Sequence, residues 1–328
     1  MAVLVRVAIA AAGFGFALWG ALALWFAGPG PAPVRAALAA LALAAAAIAA
    51  TRRSTAVAAV GVAAVIVALL LWWSTLRASG ARDWTPDVAR TPTVEFDGDR
   101  FTVRNVRDFR YRSETDFDER WEDRTYDLSR VRSLDLFLSY WDSPHIAHAI
   151  LSWGFDDGRQ LAVSIETRKE RGETYSALAG FFRRFELVYV AADERDLIGL
   201  RASDRGEQVY LYRLRPRRPG MERQLLRTYL DAMNELAANP AWYNALETNC
   251  TTTVRLNVIH AGGEFPLDWR LLANGHLPEL LYERGVVDRS IPAAELRERS
   301  RVDLRAKAAA DAPDFSARLR EPELALAR

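Results

Sequence analysis

The stretch His148-Ala-Ile-Leu-Ser-Trp-Gly-Phe-Asp-Asp-Gly-Arg-Gln-Leu-Ala-Val-Ser-Ile-Glu166 alternates large apolar residues on both sides of Asp156-Asp157-Gly158, the pattern of two strands joined by a tight turn. A three-residue loop closing on Gly158 in the left-handed conformation pairs Ala149 with Ile165, Leu151 with Val163 and Trp153 with Leu161. Every large apolar side chain except Ile150 then shares one face. A two-residue Asp-Gly turn would set Leu151 against Ser164 and Ala149 against Glu166, mixing the faces, so the first register is expected.

That register has a chemical consequence. It puts His148 opposite Glu166, with Cβ atoms about 4.5–5.5 Å apart. A carboxylate there fixes the imidazole tautomer and leaves the other ring nitrogen free for base chemistry, which is what a nucleophilic thiol needs. The chain has one cysteine, Cys250, in Glu247-Thr-Asn-Cys-Thr-Thr-Thr-Val-Arg-Leu-Asn-Val-Ile259. Thr248 or Asn249 caps a helix running through Val254 and Val258, which places the thiol in its first turn. Helix-start N–H groups and the positive dipole end depress a thiol pKa and stabilise a developing oxyanion, with Asn249, Thr251 and His145 as supporting residues.

Simpler readings exist for each residue. A lone cysteine is most often a small buried hydrophobe, a strand-edge histidine is often structural, and Glu166 alone would be an ordinary strand carboxylate. His145 is the rival base, and His145-x-x-His148 invites a metal reading, but residues three apart on a strand point to opposite faces and no further ligand pair follows. His260 and His276 fall in Gly- or Asn-containing loops and read as incidental, and Thr251-Thr252-Thr253 reads as a first helical turn. No Gly-x-Ser-x-Gly motif and no glycine-rich phosphate loop occurs, so neither a serine hydrolase nor a nucleotide site is indicated and no cofactor is expected.

The compartment follows from the first 77 residues. Val7 to Ala27, Val34 to Ala50 and Thr55 to Leu76 are apolar runs near the ~20 residues that cross a bilayer as helix, and no acidic residue precedes Asp83. Arg6 and the Arg52-Arg53 link place those ends in the cytoplasm, so the chain beyond Arg77 faces the periplasm and the protein is expected in the inner membrane. Reading the first run as a cleaved signal peptide gives the same outside placement. Removing the five arginines before residue 78 leaves 38 basic against 42 acidic residues, no footprint for nucleic acid. One cysteine allows no internal disulfide.

Farther along, Thr93 to Val103 with Asp97-Gly98 reads as a hairpin, residues 110–132 as a charged solvated loop rather than a substrate-gripping flap, Ser133 to Trp141 as a strand and Tyr175 to Phe185 as helical. Glu186 to Ala191 and Glu207 to Leu214 read as strands, and Pro219 to Ala238 as an amphipathic helix. The class is α+β with an antiparallel sheet. The expected organisation is a membrane anchor over 1–77, a linker and β extension over 78–132, a thiol domain over 133–300 and a polar tail over 301–328.

The segments from His148 to Arg201 and from Tyr243 to Val254 resemble the domain-of-unknown-function 4105 family, also described as the periplasmic domain of Lnb-type lipoprotein N-acyltransferases, over roughly Leu134 to Ser300. That resemblance implies a circularly permuted papain-like fold of the NlpC type, in which histidine precedes cysteine, with His148 as the catalytic imidazole, Cys250 as nucleophile and Glu166 in the position of the orienting residue. Those acyltransferases carry membrane helices after the domain, whereas this chain has them before it. The expected function is a membrane-anchored thiol enzyme performing acyl transfer or hydrolysis on a membrane lipid or lipoprotein. A non-catalytic envelope binding module and a cell-wall or peptide amidase are the alternatives.

Overall fold

A computed structural model describes residues 2–321. Its contacts divide the chain into two compact units: residues 1–81 with 173–186 and 241–245, and the remainder.

The first unit holds three helices, α1 (Ala2–Ala27), α2 (Ala32–Ala50) and α3 (Thr55–Thr75), each long and apolar enough to cross a membrane. Small residues let them approach closely: a Cβ at Gly20 would lie 2.4 Å from a Leu69 methyl, and one at Gly61 2.9 Å from the Ala49 Cβ. Such small-residue contacts are how apolar helices associate where burial in lipid supplies no difference between them. The segment 173–186 does not form the expected helix. Only Ala179–Phe181 turns, as one 3-10 turn, and Arg183 has φ +50°. Its side chains serve helix ends instead: Arg183 donates to Trp73 O at 2.7 Å and stacks on the Trp73 ring, Arg184 donates to Phe26 O, and Phe182 stacks on Phe26. The last carbonyls of α1 and α3 thereby gain donors that the helices cannot supply themselves.

The second unit is built on a sheet. Its strands are β1 (Thr93–Asp97), β2 (Arg100–Arg107), β3 (Arg110–Tyr111), β4 (Phe117–Asp118), β5 (Trp121–Asp127), β6 (Val131–Tyr140), β7 (His148–Phe155), β8 (Gln160–Arg168), β9 (Glu186–Ala192) and β10 (Gln208–Leu214). The order is β1-β2-β9-β8-β7-β6-β10, with β5 also on β2 and β3–β4 a separate small hairpin. Every pairing with a recorded register is antiparallel except the short β2–β9 contact, so the class is α+β with an antiparallel-dominated sheet.

The β7–β8 register is the one the hydrophobic pattern dictates: Leu151 opposes Val163, Trp153 opposes Leu161, and Gly158 sits at φ +83°. Trp153 is fully buried, donates its indole N–H to Glu222 O at 2.9 Å and meets the Tyr229 ring edge-on. The apolar face is covered by α4 (Met221–Ala238), α5 (Cys250–His260) and α6 (Leu277–Glu283). The opposite face is buried as well. The π-helical segment Arg195–Asp204 and helices α8 (Asp303–Ala308) and α9 (Phe315–Arg320), which follow α7 (Ala293–Arg299), close over Phe137, Ile150, Ala162 and Val209.

Two expectations are corrected here. Residues 110–132 are not a loop: β5 pairs with β2, Thr102 and Thr125 share a hydroxyl hydrogen bond at 2.8 Å, and Arg104 spans Glu95 and Asp123. Of the dense charges, Asp123 pairs across the sheet with Arg104 and Arg112 pairs with Asp116 and Asp118 of the β3–β4 hairpin, while Tyr126 is buried against Phe101 and Phe155. The part of the 301–328 segment that is described also packs. Phe315 and Leu319 are buried, and Arg320 reaches Asp135 at 2.8 Å and Glu194 at 2.6 Å, both carboxylates inaccessible to solvent. Residues 322–328 lie outside the described residues.

Candidate active site

Asn249 caps α5. Its side-chain oxygen accepts from the N–H groups of Thr251 and Thr252, each at 2.9 Å, and the Thr252 hydroxyl accepts from the Asn249 N–H at 3.0 Å, a reciprocal box that fixes the first turn. Cys250 is the first helical residue and is half-buried. The cap consumes N–H groups expected to hold an oxyanion, and the Thr253 N–H goes to Asn249 O. The Cys250 N–H is the donor of this turn that the cap leaves out.

His148 stands at the first position of β7 and Glu166 on β8, where the register places them opposite one another. The His148 Nε2 lies 3.1 Å from Glu166 Oε1 and 2.6 Å from Ser164 Oγ, and the Ser164 hydroxyl donates to the same carboxylate oxygen at 2.6 Å. Both contacts need a proton on Nε2, because the carboxylate only accepts and the serine proton is committed to it. Nδ1 is left as the basic nitrogen, and the imidazole is within hydrogen-bonding reach of the Cys250 thiol. Arg201, from the π-helical segment, donates to Glu166 Oε1 at 2.7 Å and to Leu197 O.

The charges are coupled accordingly. Burial disfavours a charged His148, but the Glu166 charge together with hydrogen bonds from the imidazole to the thiol sulfur and the carboxylate outweighs it and raises the imidazole to about 9, Arg201 acting in the opposite sense. Burial would raise Glu166, yet the His148 and Arg201 cations and hydrogen bonds from His148 and Ser164 hold it well below its ordinary value. For Cys250, burial is again opposed, by the His148 hydrogen bond and charge, the Ala149 N–H and the Thr251 hydroxyl, and the net direction is downward. Both shifts act toward a thiolate beside an imidazolium.

Asn274 ties the two halves of this arrangement together. Its carbonyl oxygen accepts from the Ala147 N–H at 2.8 Å, and its amide nitrogen donates to Ala147 O at 2.6 Å and to Thr251 Oγ1 at 2.7 Å, with Cys250 Sγ 3.7 Å away. It thus links the residue before His148 to the residue after Cys250. Gly275 must be glycine, because a Cβ there would come 2.2 Å from Pro144 O. Its N–H donates to His145 O at 2.9 Å and its carbonyl accepts from the Tyr140 hydroxyl at 2.8 Å.

Of the residues singled out from sequence, Cys250, His148, Glu166, Asn249 and Thr251 come together. Thr251 is buried, its hydroxyl receiving Asn274 and lying 3.8 Å from Cys250 Sγ. His145 does not join them. It is exposed and pairs with His276, Nδ1 to Nε2 at 2.9 Å, so His276 is not incidental as its loop setting implied. Ser164, Arg201 and Asn274 escaped sequence reasoning. Ser164 was within reach of it, being the diagonal neighbour of His148 in the same register. Arg201 and Asn274 arrive from distant segments and carry no local signal. Among the described residues no three His, Cys, Asp or Glu side chains gather as a metal ion requires.

Residues 117–275 match the family described as the Lnb N-terminal periplasmic domain. With its three N-terminal apolar helices the protein is a membrane protein whose C-terminal part is periplasmic. No curated protein and no solved structure matches the chain.

Proposed function

We propose that the protein is a thiol enzyme of the inner membrane that performs acyl transfer or hydrolysis on an envelope lipid or lipoprotein. The observation that carries this reading is the Cys250, His148 and Glu166 constellation, in which a half-buried thiol of lowered pKa faces an imidazole held by a half-buried carboxylate. The Cys250 thiolate attacks the acyl carbonyl carbon, forming a thioester as the bond to the leaving group breaks, and His148 gives that group its proton. An amine or water then attacks the thioester, its proton passes to His148, and the carbon–sulfur bond breaks to release the Cys250 thiolate beside the imidazolium. The Cys250 N–H stands where it would meet the developing oxyanion.

The same reading takes the domain as circularly permuted papain-like: the histidine strand precedes the cysteine helix in the chain, and that helix packs against the sheet. Three membrane-spanning helices keep the domain close to substrates that are themselves lipids or lipid-modified. The rival is a binding module that retains the site without turnover. Mass spectrometry of lipoproteins from cells carrying the intact protein or Cys250→Ser tests the proposal. An acyl-group difference restored only by the cysteine protein supports it. Identical acylation together with slow alkylation of Cys250, unchanged in His148→Ala, refutes it and favours the binding module.

A further inference from the structure

A cavity of about 440 Å³ opens beside α5, walled by Leu134, Leu136 and Leu151 of the sheet, Leu225 of α4, Val254 of α5 and Leu280 of α6. Protein interiors are normally close-packed, and apolar concavities of this size are the usual seats of small molecules. The exposed Arg217, Arg218 and Arg284 also line it, with Glu264 the one acidic lining residue. Arg218 donates to Ala261 O at 2.7 Å and to Gly262 O and the Gln224 amide oxygen, while Arg217 donates to Arg284 O at 2.6 Å. These carbonyls orient guanidinium groups without neutralising them. Among the described residues none of the three arginines is ion-paired, whereas neighbouring Arg215 and Arg270 are, with Asp288 and with Asp268 and Glu283.

We infer that this cavity binds an aliphatic chain ending in an anionic group, the chain among the leucines and the carboxylate or phosphate at Arg217, Arg218 and Arg284. The leucine walls suit an aliphatic chain, and the guanidinium groups at the opening, none of them held in a direct ion pair among the described residues, select an acid over an alcohol of the same length. The inference does not depend on the thiol chemistry, although Ala149 and Thr251, the neighbours of His148 and Cys250, line the same cavity; the charged end is held at the arginines.

The test uses the full chain in nanodiscs of zwitterionic lipid, labelled by a photoreactive long-chain fatty acid, with the crosslinked peptides identified by mass spectrometry. Labelling is expected in α4, α5 or α6 and is expected to be competed about tenfold better by the acid than by the matching alcohol, about the factor one good charge-assisted contact supplies. Unlabelled fatty acid and lysophosphatidylglycerol, compared as competitors, distinguish a carboxylate from a phosphate source, and preference for either over lysophosphatidylcholine supports the inference. Arg217→Glu with Arg284→Glu should abolish that preference, and Val258→Trp, which fills the cavity, should abolish labelling, while unchanged Cys250 alkylation verifies the fold. Labelling confined to α1–α3, or equal competition by acid and alcohol, overturns the proposal.

Discussion

Replacing Glu166 by glutamine keeps the shape and an acceptor for Ser164 and Arg201 but removes the charge that holds His148 protonated. An imidazole titrating near 9 rather than 6.5 corresponds to ~3 kcal/mol in favour of the imidazolium, at ~1.4 kcal/mol per pH unit. Without the carboxylate, burial and the Arg201 cation are opposed only by the hydrogen bond to the thiol, and the ring is expected to be neutral at pH 7. The thiol then loses its charge partner. Cys250 is the sole cysteine, so alkylation of the full chain by iodoacetamide reports on it alone. In the unaltered protein the rate should already be high at pH 6.5. Glu166→Gln should lower it there by ~10- to 100-fold, equivalent to ~1.4–3 kcal/mol, with the two profiles converging at alkaline pH where the thiol ionises unaided. Superimposable profiles, or an unaltered protein whose thiol ionises only above its ordinary 9.0, would refute the coupling.

Asn274→Ala should destabilise the domain by ~1–3 kcal/mol, because the Ala147 N–H and C=O lose buried partners, and should slow Cys250 alkylation, as read by denaturant unfolding and labelling on the same sample. Arg320→Ala leaves Glu194 without its cation and Asp135 with Arg213 alone. A loss of ~3–5 kcal/mol is expected in chemical unfolding followed by tryptophan fluorescence, and a change within error would show that the Arg320 ion pairs contribute nothing to stability. The His148–Glu166 pair also gives stability a pH window. His148 is raised, so its contribution is complete below its unfolded value of 6.5 and is lost as pH rises toward about 9. Glu166 is lowered, so its contribution is complete above 4.5 and is lost at more acid pH. The melting-temperature difference between the unaltered protein and His148→Ala should therefore be largest between about pH 4.5 and 6.5 and shrink on both sides.

Sequence alone determined the elements whose evidence is local. Apolar runs of bilayer length give α1–α3, period-two alternation fixes the β7–β8 register and with it the opposition of His148 and Glu166, and the Asn249 cap places Cys250 at a helix start. Each follows from residues within a few positions of one another. Tertiary structure decided what distant segments supply. The second face of the sheet is buried under Arg195–Asp204, α8 and α9 by way of Asp135, Ser152, Glu194 and Arg320, polar residues that read as exposed until their partners are known. β5 is a strand for a related reason, since its β2 partner and the Arg104–Asp123 and Thr102–Thr125 contacts come from a separate segment. Arg201 and Asn274 join the site from the π-helical segment and from a loop more than a hundred residues beyond His148, and no periodicity records a hydrogen bond between groups so far apart in the chain.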